Sequence, residues 1–433
     1  MKPLQKKYFY LILSMFFGAC MSVCIAPYVL TTIMKEYHAS VFQIALIPVI
    51  IQAGGFLALP MAIAFSNFNC KKVSISLYSA GRLFLIVFLV ALIYPNIERR
   101  SIPIILLSTY AIMQILSMSA TGPTNSWFKE IIPHDIQATF LGKRSALCAL
   151  VVGSLTPAVG FFMEKHDMVD LDKKSVYMIL FAFAIIVGYV DMYFLGKVET
   201  SSIRIKRKIG QILQEVKSVW KRQDIWNASF IAVIADIGTF LIVPFLILLY
   251  YDMGLGEFKV GIIVAISTLG IAAGLVTGGH FSDRLLVKKV FMLSSLLRTF
   301  SHLCFFMLTI LVFSYSLPKI YIFIILATIA PMATFSGSCI VAANIKYVYN
   351  SVKDGSSISF AFIHFVRNFV VLIILASVAK FGAFLSSRSD ILSAYLWNGF
   401  HYIQILFLCS IILSLFSCIY LYRANVYKNV SLR

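Results

Sequence analysis

Apolar residues in this chain neither alternate with polar ones nor keep to a single helical stripe. They fill runs of about twenty residues or more, apolar on every face, the length that carries a helix across about 30 Å of hydrocarbon. Barrel strands would read as short segments of alternating character, so the predicted fold class is an all-α membrane protein. Twelve spans are predicted, near 8–34, 43–65, 73–95, 102–126, 144–163, 175–196, 226–250, 260–280, 290–314, 319–343, 358–383 and 398–422. They are numbered spans 1 to 12 below. The first run is too long for the core of a secretory signal and lacks a small-residue cleavage site, so it reads as span 1 itself.

The polar residues between the spans carry a charge asymmetry. Counted by side, 24 Lys or Arg fall in the loops and ends that share a face with both termini, and 9 fall on the other face. The remaining four, Arg82, Arg298, Arg367 and Lys380, lie within spans. By the positive-inside rule both termini are expected to be cytoplasmic. This topology accounts for the formal charge of +19 without a nucleic-acid partner. The composition agrees, with 60% hydrophobic and 13% charged residues and a mean hydropathy of +0.90. Of eight cysteines, seven fall inside apolar runs and Cys70 is read as a loop residue, so neither a disulfide framework nor a zinc site is expected. No cofactor or metal is implied, and the chain is expected to act as a monomer.

An internal repeat divides the chain. Pro27 in IAPYVL matches Pro244 in IVPFLI, and Lys71-Lys72-Val73 matches Lys288-Lys289-Val290, both 217 residues on; Arg82 and Arg298 are 216 apart. Three anchors at one register, with six spans on either side, define two pseudo-symmetric bundles: residues 1–196, a linker over 197–225, and 226–433. The linker holds eight Lys or Arg, and Ile209, Ile212, Leu213, Val216, Val219 and Trp220 recur within it at helical spacing. Such a helix suits an anionic membrane surface, and equally a bundle flank against which its apolar face packs. A parallel repeat of this kind puts a binding cavity between the halves near the midplane.

Between spans 8 and 9 runs Gly278-Gly279-His280-Phe281-Ser282-Asp283-Arg284-Leu285-Leu286-Val287-Lys288-Lys289. It resembles the signature loop of the major facilitator superfamily of transporters, Gly-x-x-x-Asp-Arg-x-x-x-Arg/Lys-Arg/Lys, here carried by Gly279, Asp283, Arg284, Lys288 and Lys289. The resemblance implies a latch on the cytoplasmic gate, in which glycine allows close helix approach and Asp283 faces the start of span 5 at Lys143 and Arg144. The first-half loop keeps Lys71 and Lys72 but has Ser66 in place of the acid, which implies a weaker latch there. In span 5, Gly153, Pro157 and Gly160 partly resemble the Gly-Pro-x-x-Gly-Gly element of the superfamily's proton-coupled exporters, with Thr156 and Phe161 in place of two glycines. This leans the reading slightly toward export; a proline tolerated for packing is the alternative. The stretch from Asn125 to Ser145 is similar to a loop of many bacterial members and specifies no substrate.

Charges at mid-span carry the mechanistic content, because each costs about 3 kcal/mol or more at a helix centre. Asp236 lies about ten residues into predicted span 7, roughly 15 Å deep; Arg367 and His364 lie at similar depth in span 11. A carboxylate there can exchange a proton as its surroundings alternate between wet and dry, so Asp236 is the proton-coupling candidate. Arg367 is expected to bind an anionic group of the substrate or to pair with Asp236, with His364 tuning either event and Gln114 of span 4 offering a polar contact. For Arg82, Arg298 and Asp191 a structural role is expected, as snorkelling side chains or an interhelical ion pair. The partners expected are a small-molecule substrate, protons and the lipid bilayer. The reading is secondary active transport of a small organic solute by alternating access. The alternatives are uptake or uniport of an organic anion and, in other classes, a transporter-like sensor or a membrane-embedded enzyme. Against an enzyme, no His-Glu-x-x-His is present, and the glycine and hydroxyl of a phosphate loop are missing around Gly142-Lys143-Arg144-Ser145.

Overall fold

The computed structural model describes residues 3–65, 67–94, 98–120, 123–124, 127–128, 131–132, 137–165, 168, 171–199, 209–284, 287–315, 317–351, 357–388 and 401–423. Among these there are helices and no strands. Eleven helices are long and apolar enough to cross a membrane, and a bent pair within span 7 makes twelve. Every predicted span is therefore present. Twelve crossings put Pro3 and Arg423 on one face, the terminal face; the other is the distal face.

Several spans differ from plain rods for reasons written in the sequence. Span 1 is Pro3–Cys24 followed by Pro27–Glu36, because Pro27 lacks the N–H that would continue the ladder and instead opens a new helix. Span 2 breaks at Leu57 into Val41–Phe56 and Ala58–Ala64, and Ser40 and Gln43 form a reciprocal capping box at its start. Span 7 runs Gln223–Ile242, tightens through a 3-10 turn Val243–Phe245 that contains Pro244, and ends as Leu246–Asp252. Its pieces Gln223–Ile234 and Ile237–Asp252 are inclined by 46°.

Spans 3, 4, 5, 6 and 12 are Cys70–Ile93, Ile102–Ser119, Gln137–Glu164, Lys173–Lys197 and Ile403–Arg423. Cys70 is the buried first residue of span 3 rather than a loop residue. Spans 8 to 11, Glu257–Arg284, Val287–Tyr315, Lys319–Ser351 and Ser357–Ser387, have 28, 29, 33 and 31 residues. At 1.5 Å per residue they reach about 42 Å or more, past the hydrocarbon.

The linker forms a helix, Ile209–Trp220. Its Ile212 and Val219 are buried in the core of the second half with Phe362, while Leu213 and Trp220 stay exposed. The apolar face thus packs on the bundle, the second of the two arrangements its pattern allowed.

Packing between the halves is uneven. Toward the distal face one apolar core joins them, with Tyr28, Ile33 and Met34 of the first half against Phe245, Leu249, Tyr250 and Met253 of the second. Toward the terminal face the cores separate. Leu11, Trp127, Phe128 and Met192 belong to the first half alone, and Val290, Phe291 and Phe362 to the second, where Leu59 of span 2 joins them. The halves meet chiefly along two crossings, span 5 on span 8 and span 2 on span 11, with smaller contacts of spans 1 and 2 against the Val243–Asp252 end of span 7.

Candidate functional site

The span 2 to span 11 crossing builds one wall of the site. At Gly55 there is no room for a Cβ, because the Asn368 side-chain amide fills its place. One residue on, the Phe56 ring packs against Phe365 and Phe369 at centroid distances of 4.8 and 5.3 Å. Arg367 beside this seam is half-buried. Its guanidinium lies 5.9 Å from the ring centroid of Phe240 on span 7, and its Nη1 donates to Asn368 Oδ1 at 3.4 Å. His364 precedes it by one turn, on the same side of span 11, and is accessible. Asp236 precedes Phe240 by one turn of span 7; its side chain lies outside the described residues. The fold therefore brings Arg367, His364 and the Asp236 backbone to one junction, between spans 7 and 11. Gln114 stays with span 4, its side chain hydrogen-bonded to Tyr110 and its backbone carbonyl 2.8 Å from where a Gly54 Cβ would stand.

The glycines of span 5 mark the other crossing. A Cβ on Gly160 would stand 2.7 Å from the Glu257 carbonyl oxygen at the start of span 8, and one on Gly153 would touch Ala265 O at 3.5 Å. Pro157 lies between them, 3.4 Å from the place of a Gly261 Cβ. The element is a close-packing seam between the halves, the use membrane helices make of small residues.

In the signature loop the close approach belongs to Gly278, where a Cβ would stand 2.6 Å from Cys339 Cα of span 10. Gly279, the glycine at the motif position, has nothing within 4 Å. The expected role of Gly279 is thus corrected: the helix–helix contact is one residue earlier. Lys288 is half-buried and Lys289 exposed. The side chains of Asp283, Arg284 and Lys143 lie outside the described residues, as does Ser66. Arg144 rests over the Phe128 ring at 5.0 Å. In the first half, Asn69 caps span 3 by accepting from Lys72 N at 3.1 Å, and Lys71 Nζ donates to Gly196 O at 2.7 Å at the end of span 6.

Of the structural roles expected for Arg82 and Asp191, the interhelical ion pair is the one observed, whereas a second polar cluster at the distal face was not legible in the sequence. Arg82 and Asp191 form a buried ion pair, with Arg82 also donating to Gly188 O and Ser14 of span 1 donating to the Asp191 carboxylate. At the distal face, polar groups of both halves form a network that crosses between the halves at Lys35–Asp252 and Lys173–Glu257. Lys35 lies 3.8 Å from Asp252, which His401 approaches at 3.6 Å; Lys173 lies 3.0 Å from Glu36 and 4.0 Å from Glu257. Thr32 and Tyr251 share a hydrogen bond, and Glu164 of span 5 accepts from Phe258 N at 2.8 Å, capping span 8 from the other half. Tyr28 Oη donates to Thr156 O at 3.1 Å behind them.

Two six-span halves, joined through one apolar core at the distal face, define a polytopic all-α membrane protein. The family model of the Major Facilitator Superfamily matches residues 11–374, and the chain belongs to that superfamily. Solved structures agree in fold. A D-xylose–proton symporter superposes with a TM-score of 0.67 at 13% identity, covering 96% of this chain and 97% of that one. The nucleoside transporter NupG, solved as a mutant, gives 0.65 at 11% identity, over 96% and 99%. A bacterial homologue of the human lysosomal transporter Spinster, inward-facing and unoccupied, gives 0.61 at 13% identity, over 100% and 99%. Among curated proteins, no sequence matches.

Proposed function

We propose that this protein moves a small organic solute across the bacterial inner membrane by alternating access coupled to protons, with the terminal face cytoplasmic. One observation carries the reading: the mid-span acid of span 7 belongs to the turn next to Phe240, against which Arg367 of span 11 rests. A carboxylate at such a junction is hydrated when the halves part and dehydrated when they close, so its affinity for a proton follows the conformational cycle. The name of one structural neighbour, a D-xylose–proton symporter, is in keeping with proton coupling.

In this reading Asp236 carries the proton, Arg367 holds an anionic group of the solute, His364 and Gln114 supply further polar contacts, and Arg144, Asp283, Arg284, Lys288 and Lys289 latch the cytoplasmic gate. The direction is export, on the strength of Gly153, Pro157 and Gly160. A second reading, uptake of an organic anion, is favoured by the half-buried guanidinium of Arg367 at the junction.

A deletion strain screened for metabolites and drug sensitivity identifies the solute and the direction. An exporter leaves it accumulating the compound, whereas an importer leaves it unable to take the compound up. With that solute, substrate-driven proton flux in proteoliposomes is expected to vanish in Asp236→Asn. Unchanged coupling in the variant removes Asp236 from the mechanism.

A further inference from the structure

The linker helix Ile209–Trp220 is seated on the second half by one face, where Ile212 and Val219 are buried with Phe362 and Val216 packs beside them. The rest of its surface is not uniformly polar. Leu213, Lys217 and Trp220 follow at spacings of four and three, so they share one flank, and Lys221 continues it into the turn that ends the helix. All four are exposed, Leu213 and Trp220 each to 54%. The opposite flank holds Gln211, Glu215 and Ser218, a surface of amide, acid and hydroxyl. Water on both sides would give the helix no reason to sort its exposed residues in this way. Large apolar side chains with lysines beside them are the composition of a flank that meets a membrane.

Trp220 fixes where that flank points. Its ring packs edge-on against Trp226 at 5.3 Å and against Phe362 at 5.4 Å, and Trp226 Nε1 donates to Trp220 O at 2.8 Å. Trp226 lies in the first turn of span 7 and stacks on Phe230, one turn further in. Span 7 turns Ile234 and Gly238 to span 12 and Phe240 to span 11. Phe230, 48% exposed, falls between those two faces, on the outside of the bundle, about 10 Å in from Gln223. Three aromatic rings thus run from the linker helix into lipid. Trp220 sits where a span enters the membrane, the level at which tryptophan is enriched, and this puts Lys217 and Lys221 at the depth of lipid phosphates. Arg222, the next basic residue, is held by Asp224 at 2.8 Å, and the sequence just ahead of the helix adds Arg204, Lys206, Arg207 and Lys208.

We propose that this flank of the linker helix is a docking surface for anionic phospholipids of the terminal-face leaflet, with Leu213 and Trp220 set among the upper ends of the acyl chains and Lys217 and Lys221 on the phosphates. Charge and depth together select this occupant, because a leaflet lies beside Trp226 and Phe230 whenever span 7 is in the membrane, and its anionic headgroups are drawn to lysines at that level. The core that seats Ile212 and Val219 also contains Leu59 of span 2. A lipid-held helix therefore bears on the place where the first half meets the second at the terminal face. The surface depends neither on the direction of transport nor on proton coupling.

The test uses the full chain on a cysteine-free background, with a spin label at Leu213→Cys or, on the other flank, at Ser218→Cys. Short-chain phosphatidylglycerol is titrated into the protein in detergent, with short-chain phosphatidylcholine and inorganic phosphate as separate arms. As phosphatidylglycerol is added, the Leu213 label is expected to gain exposure to oxygen and lose exposure to a water-soluble nickel complex, while the Ser218 label stays in water. Lys217→Gln with Lys221→Gln is expected to raise the concentration at half-response about tenfold or more, each lysine contributing about fivefold. Lys217→Gln with Ser218→Lys, which keeps the net charge but moves one lysine to the other flank, is expected to raise it about fivefold. An equal response to phosphatidylcholine, a response to inorganic phosphate alone, or a Ser218 label that moves with the Leu213 label would overturn the proposal. If the cysteine-free chain fails to fold, the thermal midpoint of the otherwise native chain is the readout. Phosphatidylglycerol is then expected to raise it less in both lysine variants than in the parent, and equal rises in all three count against the docking surface.

Discussion

At the scale of single residues, two glycines that look alike in the sequence stand in opposite surroundings. Gly278→Ala drives a methyl into the span 10 backbone at Cys339, a contact no rotamer change relieves, whereas Gly279→Ala enters open space. Purified Gly279→Ala is expected to match or exceed the parent in thermal midpoint, by up to ~1 kcal/mol from helix propensity, and Gly278→Ala to fall below it. The Arg82–Asp191 pair gives the larger effect: Asp191→Asn strands a buried guanidinium and is expected to cost about 3–5 kcal/mol, with the double neutral variant milder than either single one. Membrane yield and thermal midpoint check both. The sequence displayed these charges and allowed an interhelical ion pair among Arg82, Arg298 and Asp191, but not that Arg82 and Asp191 are the two that meet. They are 109 residues apart, and only the way span 6 packs between spans 1 and 3 brings them together. Asp236 was legible for the converse reason, since a lone acid midway through an apolar run needs no partner to be conspicuous.

At the scale of elements, the seam between spans 5 and 8 and the clasps beside it decide how readily the distal face opens. Exposed ion pairs contribute about 0–1 kcal/mol each, so Lys35→Ala alone is expected to shift the balance of closed and open forms by less than about tenfold. Lys173→Ala removes contacts to both Glu36 and Glu257, and Glu164→Gln weakens the cap of span 8; together they are expected to raise labelling of a cysteine at Tyr251 by a membrane-impermeant thiol reagent. Unchanged labelling would assign closure to the apolar core instead. Gly160→Leu, which cannot fit against Glu257, is expected to hold that face open and abolish turnover. None of these clasps was readable beforehand, because Lys35, Glu36, Asp252 and Glu257 sit in or beside short loops where charge is the ordinary condition. The break in span 1 and the 3-10 turn of span 7 were signalled by Pro27 and Pro244, whereas the 46° bend between Ile234 and Ile237 has no proline to announce it.

At the scale of the whole molecule, the sequence carried the architecture well. Twelve apolar runs and a repeat of 217 residues suffice for two six-span halves, because a membrane allows few ways to satisfy a backbone. It carried the site less well, since which spans touch depends on packing between the halves. The central claim, that a proton on Asp236 drives the halves to rock, can be tested without knowing the solute. Spin labels at Met168 and Tyr315, exposed on the distal ends of opposite halves, on a cysteine-free background in nanodiscs, report the distal opening as a distance. Double electron–electron resonance is expected to find a distribution that changes with pH in the parent and stays fixed in Asp236→Asn. The same pH-dependent change in both proteins would contradict the account.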